Sequence, residues 1–248
     1  MLIKVIQLTD PASVENAALK QMCSLPRLSH VERNVAALKN ERQTHLFVIA
    51  DTVSGPTLLE YLTDVSPVMG VTWGVQAMLD IIEGLQQLEY YGVRPPAVEP
   101  HHVRFIHPGR GAQAVLVGWL ESVLRVDHIT IPADGKKRSG GARSRARRAE
   151  ANLNDLSVDQ LLLLGQPSDP AVKQLGRIAF RMFAGCAANP GWTGGEVRAA
   201  VSEIVAGNGA DTELLRSFVA MALLGSFVDL AALAEHNLIA EHRDPGRS

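Results

Sequence analysis

The sequence is poor in cysteine and has no long apolar run. Among its 248 residues there are two cysteines, Cys23 and Cys186. Two cysteines exclude a framework of several disulfides and a four-cysteine zinc site, and in a reducing compartment we expect both to be buried as small hydrophobic residues. The longest apolar run, residues 218–228, is far shorter than the roughly 20 residues of a membrane span. No signal peptide or lipidation motif is recognisable, so we expect a cytoplasmic protein.

An excess of charge of one sign is also lacking. Lysine and arginine total 24, aspartate and glutamate total 26, and the formal net charge is -2. This balance excludes a chain that binds nucleic acid over its whole surface. The sum hides one uneven segment, because between Asp134 and Glu150 seven basic residues stand against those two acids: Lys136, Lys137, Arg138, Arg143, Arg145, Arg147 and Arg148.

Hydrophobic patterning predicts strands early in the chain and helices late. Runs rich in branched residues predict strands at 2–8, 45–50, 103–106 and 114–117. Helical spacing follows Asp10-Pro11 and recurs at 58–62, 73–90, 172–184, 195–206, 212–224 and 228–239. Segregated strands and helices are typical of the α+β class.

Three early stretches carry the first half of a resemblance. Leu-Ile-Lys-Val-Ile at 2–6 has Lys4 at its centre, Lys-Gln-Met at 20–22 includes Gln21, and 46–58 reads Leu-Phe-Val-Ile-Ala-Asp-Thr-Val-Ser-Gly-Pro-Thr-Leu. In this order they resemble the third strand, the following helix, and the fifth strand with hinge of a bacterial serine/threonine protein kinase. The resemblance puts Lys4 at the phosphate-pairing lysine, Gln21 at its glutamate partner, Ala50 at the gatekeeper and Asp51 at the start of the hinge.

The later stretches resemble the same family, but the residues of its catalytic motifs are replaced in this chain. Where the family has H-R-D, this chain has Pro95-Pro96-Ala97, and Glu99 and His102 stand for the lysine and asparagine of K-P-E-N. The D-F-G position holds Gly118-Trp119-Leu120, Ser-Val-Asp at 157–159 stands for A-P-E, and 175–185 resembles the central helix.

The resemblance implies a kinase-like fold without the start of its N-terminal lobe. It predicts a small β-rich lobe and hinge at 1–56 and a larger helical lobe at 57–248. Residues 132–153 would then be a basic segment in the place of the activation loop. The core positions expected for this fold are Trp119, Leu175, Gly176, Ile178 and Phe183.

The replaced letters predict a pseudokinase rather than an enzyme. Ala97 cannot act as a base, Gly118 has no side-chain oxygen for a metal, and His102 is a poor magnesium ligand. The glycine-rich loop would precede Lys4 and does not occur in this sequence. We therefore expect no cofactor and no catalytic residue. Lys4 and Asp51 are the candidates for a residual ATP site, although Gln21 cannot hold Lys4 by charge and we expect a solvated lysine.

Two other charged groups have simpler interpretations. Glu99, His101 and His102 suggest a metal cluster, but adjacent loop residues point in different directions and no third ligand stands at a standard spacing. We expect polar loop residues and no metal. Asp80 and Glu83, three apart on a predicted helix, are expected on a solvated face.

The basic segment is the main candidate for an interaction site. A block of this kind is most often a solvated loop. The functional alternatives are docking to an acidic partner, or phosphorylation that recruits a phosphopeptide-binding domain. The residues concerned are Thr130, Ser139, Ser144, Arg143, Arg145, Arg147 and Arg148. Nucleic acid is disfavoured, because no aromatic residues alternate with the charges to stack on bases.

These observations favour a non-catalytic regulatory or scaffold protein that binds other proteins, among them a cognate serine/threonine kinase that phosphorylates it. The alternative is a divergent kinase or nucleotide-binding protein whose glycine-rich loop is missing from this chain. A decayed remnant is a third interpretation. The sequence indicates neither the partner, nor the oligomeric state, nor whether Met1 is the true start.

Overall fold

The computed structural model describes residues 1–7, 16–93, 98–106, 113–120, 170–205 and 209–243. Within them the chain is mixed α and β, with its strands before residue 117 and its long helices from residue 71 onward. This composition is consistent with the predicted α+β class, although three helices lie between strands.

The first sheet has three antiparallel strands in the order β1-β3-β2. They are β1 (Leu2–Gln7), β2 (Asn34–Lys39) and β3 (His45–Ala50), and helix α1 (Asn16–Cys23) connects β1 to β2. The predictions of β1 and β3 are confirmed. β2 was not predicted, because Asn-Val-Ala-Ala-Leu-Lys has a weak intrinsic preference for strands and pairing with β3 decides its conformation.

The two faces of this sheet differ. In β3 the alternate residues Leu46, Val48 and Ala50 are completely buried. On the opposite face the register aligns Val5, Phe47 and Leu38 in one row, and all three are exposed. Lys4 lies on the buried face, since side chains alternate along a strand.

The long helix α3 (Val71–Tyr90) follows a short helix, α2 (Leu58–Glu60), that continues as a π-helical turn at Tyr61–Val65. All six positions that the periodicity assigned to its apolar face are buried: Val75, Met78, Leu79, Ile82, Leu85 and Leu88. A 3₁₀ turn (Pro100–His102) then leads into the antiparallel pair β4 (Val103–Ile106) and β5 (Gln113–Leu116).

Five helices end the described chain: α4 (Pro170–Ala184), α5 (Gly194–Ser202), α6 (Gly209–Leu224), α7 (Leu230–Ala234) and α8 (Asn237–Arg243). α4 packs on α6 at Gly176, where a Cβ would stand 2.6 Å from the backbone of Ala222. The other predicted core positions, Trp119, Leu175, Ile178 and Phe183, are buried.

The prediction of a single helix at 228–239 was wrong. The chain turns at residues 235 and 236, because His236 is buried against Phe218 and Phe227 and its Nδ1 accepts a hydrogen bond from the backbone N–H of Leu238.

The chain divides into two compact units. Unit 1 is residues 1–58 with 83–136, and unit 2 is residues 59–82 with 137–248, so the division falls within α3. This grouping by compactness differs from the lobes expected at 1–56 and 57–248, which stay a prediction.

Two expectations about single residues were wrong. Cys186 is exposed rather than buried, while Cys23 is half-buried, and burial raises the pKa of its thiol. Asp80 is 4% exposed and accepts a hydrogen bond from Gln76 Nε2 at 3.0 Å. It is not on a solvated face, because its neighbours on this stretch of α3 are apolar on every side of the helix.

Among the residues that the structure describes, no helix is both long and apolar enough to span a membrane.

Candidate functional site

Lys4 forms an ion pair with a buried residue of unit 1. Its ammonium Nζ donates to Glu32 Oε2 at 2.6 Å, and the side chains of the pair are 18% and 2% exposed. The expected solvated lysine was therefore wrong. The physical reason is that side chains alternate along a strand, so Ile3 and Val5 point outward and Lys4 points inward. The inward side chain meets the carboxylate of Glu32, a residue that the sequence analysis did not single out.

The partner of Lys4 is not at the position expected for it. Gln21 lies on α1 and is exposed, whereas Glu32 follows that helix in the stretch that leads into β2. Lys4 and Glu32 are 28 residues apart, and no spacing rule connects a strand residue with a loop residue at that distance. Glu32 stands between Val31 and Arg33 in a connection of mixed polarity, so the local sequence gives no signal for its burial.

Glu32 also fixes the chain that leaves β5. Its backbone N–H donates to Leu116 O at 2.7 Å, and its carbonyl oxygen accepts from Trp119 Nε1 at 2.8 Å. The carboxylate atom that binds Lys4 accepts a second hydrogen bond from Gly118 N at 3.0 Å. One residue thus joins β1 to residues 116–119 through four hydrogen bonds.

Gly118 takes part through its backbone. Its φ of 67° lies in the left-handed region, where glycine has no steric penalty. This conformation accompanies the N–H bond to Glu32. The sequence predicted that Gly118 lacks a metal-binding oxygen. In the structure its N–H meets a buried carboxylate, and an aspartate there would add both backbone strain and like-charge repulsion beside Glu32.

Two donors share one carboxylate oxygen of Glu32. Hydrogen bonds that involve charged groups are the stronger ones, and both donors here converge on an ionised carboxylate. A cavity whose lining includes Glu32, Arg33, Asn34 and Trp119 has about 10 Å³, which is at the lower limit for holding one water molecule and far too small for a nucleotide. The arrangement connects β1 to the segment that follows β5.

The histidine pair stabilises a turn. Glu99 N donates to His102 Nδ1 at 3.2 Å, His101 Nδ1 lies 3.3 Å from Glu99 Oε2, and Val117 N donates to His102 O at 2.7 Å. These contacts cap the 3₁₀ turn before β4. Within the described ranges, no group of three histidine, cysteine, aspartate or glutamate side chains is arranged to hold a metal ion.

The remaining predicted site residues are in two groups. Asp51 is half-buried directly after β3, and its N–H donates to Arg33 O at 2.9 Å. The other residues lie outside the described residues: Ala97, Thr130, Ser139, Ser144, Arg143, Arg145, Arg147, Arg148 and the whole segment 132–153.

Unit 1 also has an open groove of about 400 Å³ away from Lys4. Glu83 forms one wall and lies 3.5 Å from His30 Nε2. Neither Lys4 nor Glu32 lines the groove; its lining residues are Arg27, Leu28, Ser29, Glu83, Gln86, Gln87, Tyr90 and Tyr91.

In comparisons with known proteins, no family model matches this chain and no curated protein is similar to it in sequence. The kinase-like fold therefore stays a prediction, which rests on the residues quoted from the sequence and on the order of the elements.

Proposed function

We propose that this chain is a kinase-like domain without phosphoryl-transfer activity that regulates other proteins by binding them in the cytoplasm. The observation that carries the proposal is Gly118, which has no side-chain oxygen for a metal and whose N–H donates to the buried Glu32 carboxylate. Phosphoryl transfer requires cations to neutralise charge on the transferred group. Gly118 supplies no side-chain oxygen that could hold such a metal ion.

The order of elements supports the kinase-like part of the proposal. A strand with an inward lysine, a helix, two further strands in the order β1-β3-β2, a long helix and a two-stranded hairpin follow one another in unit 1 and α3. The resemblance predicts the strand with Lys4, the helix after it, the strand before the hinge, the helix before the catalytic loop and the strand before Gly118, in that order. β2 was not among the predicted elements.

The chemistry of the replaced positions supports the loss of activity. Gly118 has no ligand for magnesium, and the Nδ1 of His102 accepts a hydrogen bond from Glu99 N. Ala97 has no group that could take a proton from a substrate hydroxyl. Each loss alone would lower the rate by orders of magnitude.

The proposal of protein partners has two supports. The segment 134–150 has a formal charge of +5 and phosphorylatable residues at Ser139 and Ser144, with Thr130 just before it. Unit 1 also exposes the apolar row Val5, Phe47 and Leu38 on one sheet face, and contiguous apolar surface of this kind often marks interaction sites.

Thermal unfolding in the presence of ATP tests the proposal. We expect no change in melting temperature up to millimolar ATP, with or without magnesium or manganese, because Gly118 and His102 are not magnesium ligands. A metal-dependent rise would contradict the proposal and favour a nucleotide-binding protein. If a rise occurs, the Lys4→Met variant decides whether Lys4 carries it.

The partner part has a separate test. The full chain, treated with a serine/threonine kinase and ATP, should retain a partner protein that a chain lacking 132–150 does not retain. Equal retention by both chains would remove the basic segment from the proposal.

A further inference from the structure

The open groove of unit 1 lies between the end of α3 and the chain at residues 27–29. Its volume of about 400 Å³ is within the range of about 300–1,000 Å³ that is usual for ligand sites. The proposed function assigns no role to this groove. The polar groups on its walls decide which ligand it fits.

Both walls of the groove are fixed by the backbone. Residues 27–29 continue into His30, whose carbonyl oxygen accepts a hydrogen bond from Leu116 N at 2.8 Å. That oxygen also lies against α3, since a Cβ at Gly84 would stand 2.9 Å from it. At the other wall the chain leaves α3 at Gly92, whose φ of 80° is in the left-handed region that ends many helices. The groove is therefore preformed.

Two polar groups of the groove have no partner in the part of the chain that the structure describes. The Arg27 side chain is exposed and forms neither an ion pair nor a hydrogen bond there. The side-chain oxygen of Gln87 is buried and accepts no hydrogen bond. Glu83, in contrast, lies 3.5 Å from His30 Nε2, so its carboxylate already has a partner. A fitting ligand must therefore bring an anion to Arg27 and an N–H donor to Gln87.

Two tyrosines indicate the kind of molecule that carries these groups. The rings of Tyr90 and Tyr91 make an edge-to-face contact with centroids 5.1 Å apart, and both residues line the groove. Tyrosine and arginine are enriched among the residues that contribute most to binding at protein interfaces. Tyr90 is 70% exposed, so the groove is open on this side. Sites for small molecules bury most of their ligand, whereas a peptide can continue past an open side.

We propose that this groove binds an acidic segment of a partner protein, with a carboxylate of the segment on Arg27 and one of its backbone N–H groups on Gln87 Oε1. A peptide carries an N–H at nearly every residue, and an acidic side chain supplies the carboxylate. The charge-assisted hydrogen bond at Arg27 selects acidic over neutral segments. The inference rests on the proposed function, for which it names the chemistry of the partner, and it places the contact in unit 1 rather than in the segment 134–150.

An NMR titration of the full chain tests the inference. The probe is a blocked peptide of alternating glycine and glutamate, and the control peptide has glutamine in place of glutamate. With millimolar glutamate peptide we expect saturable shifts of the backbone amide signals of residues 27–29 and 86–91, and much smaller shifts with the glutamine peptide. Unshifted signals at these residues with the glutamate peptide overturn the inference, and so do equal shifts with both peptides.

Two variants of equal charge separate the groove from the rest of the surface. Arg27→Gln should weaken binding of the glutamate peptide about tenfold, because it removes a hydrogen bond between charged groups. Arg42→Gln loses the same charge from an exposed residue between β2 and β3, outside the groove, and should bind as the wild-type chain does. Equal weakening by both variants would mean that general charge attraction binds the peptide, which overturns the inference.

The contact at Gln87 has its own variant. Gln87→Met has a side chain of similar length without the acceptor oxygen, so it should bind the glutamate peptide several-fold more weakly. An unchanged dissociation constant overturns the assignment of an N–H donor to Gln87 Oε1.

The position of the shifted signals separates this inference from the proposed function. Shifts confined to residues 134–150 would overturn the groove as the site and leave binding through the basic segment in place. Shifts in the groove, together with a metal-dependent rise in melting temperature with ATP, would support the groove and contradict the proposed loss of activity.

Discussion

The two compact units bury an ionisable side chain in opposite ways. In unit 1 the Glu32 side chain is 2% exposed, with Lys4 and Gly118 as donors to one of its oxygens. In unit 2 His236 is 6% exposed between Phe218 and Phe227, and desolvation lowers its pKa from 6.5 to about 4. Glu32 is thus buried with an oppositely charged partner, whereas His236 is buried among aromatic rings, which disfavour its protonated form.

Removing the partner in unit 1 should have the largest effect on stability. Lys4→Met leaves Glu32 as a buried carboxylate with no ammonium group, and breaking a buried pair in this way costs about 3 kcal/mol. Urea unfolding should show this loss in the free energy of unfolding, and hydrogen exchange should locate it in β1 and residues 116–119.

The double variant Lys4→Met with Glu32→Gln separates charge from packing. Glutamine is neutral and retains an acceptor for Gly118 N, so the double variant should lose only about 1 kcal/mol. If it is as unstable as Lys4→Met alone, then the uncompensated charge of Glu32 is not the cause, and the contrast between the two units fails.

Unit 2 should respond to pH instead. The unfolded chain takes up a proton on His236 near pH 6.5, while the folded chain resists protonation until about pH 4. Stability from this group is therefore fully present above pH 6.5, falls as the pH drops through this window, and levels off below pH 4. Between pH 7 and pH 5 the loss is about 2 kcal/mol.

The control for the pH effect is His236→Gln, which cannot titrate. The difference between the wild-type and variant unfolding free energies should change between pH 7 and pH 5, since all other titrating groups are common to both chains. A constant difference would mean that His236 is not buried as a neutral side chain.

The contrast between the units also separates what the sequence predicts from what it does not. Helix α3 was predicted because one row of apolar residues repeats along a single helix, and β3 was predicted within its own six residues. Such patterns are local. The pairing of Lys4 with Glu32 and of Glu32 with Gly118 joins residues 28 and 86 apart, so it depends on the tertiary fold.

The wrong predictions have the same origin. Asp80 was assigned to a solvated face from its spacing with Glu83, whereas tertiary packing covers every side of α3 at that point. The break at residues 235 and 236 depends on a pocket formed by Phe218 of α6 and Phe227 of the loop that follows α6. Local propensity is a weak guide wherever contacts between distant segments decide the conformation.

The smallest effect is expected for an exposed polar contact in unit 2. At the start of α5, Thr193 Oγ1 accepts from Glu196 N at 3.4 Å, and Glu196 Oε2 accepts from Thr193 N at 2.7 Å. Thr193→Ala removes one half of this capping box and should cost about 1 kcal/mol, while Thr193→Ser should retain the contact. Urea unfolding of the two variants measures both. Thr193 and Glu196 are exposed, so water replaces a lost hydrogen-bond partner there. A loss in unfolding free energy as large as that of Lys4→Met would therefore show that burial does not determine how much a polar contact stabilises this protein.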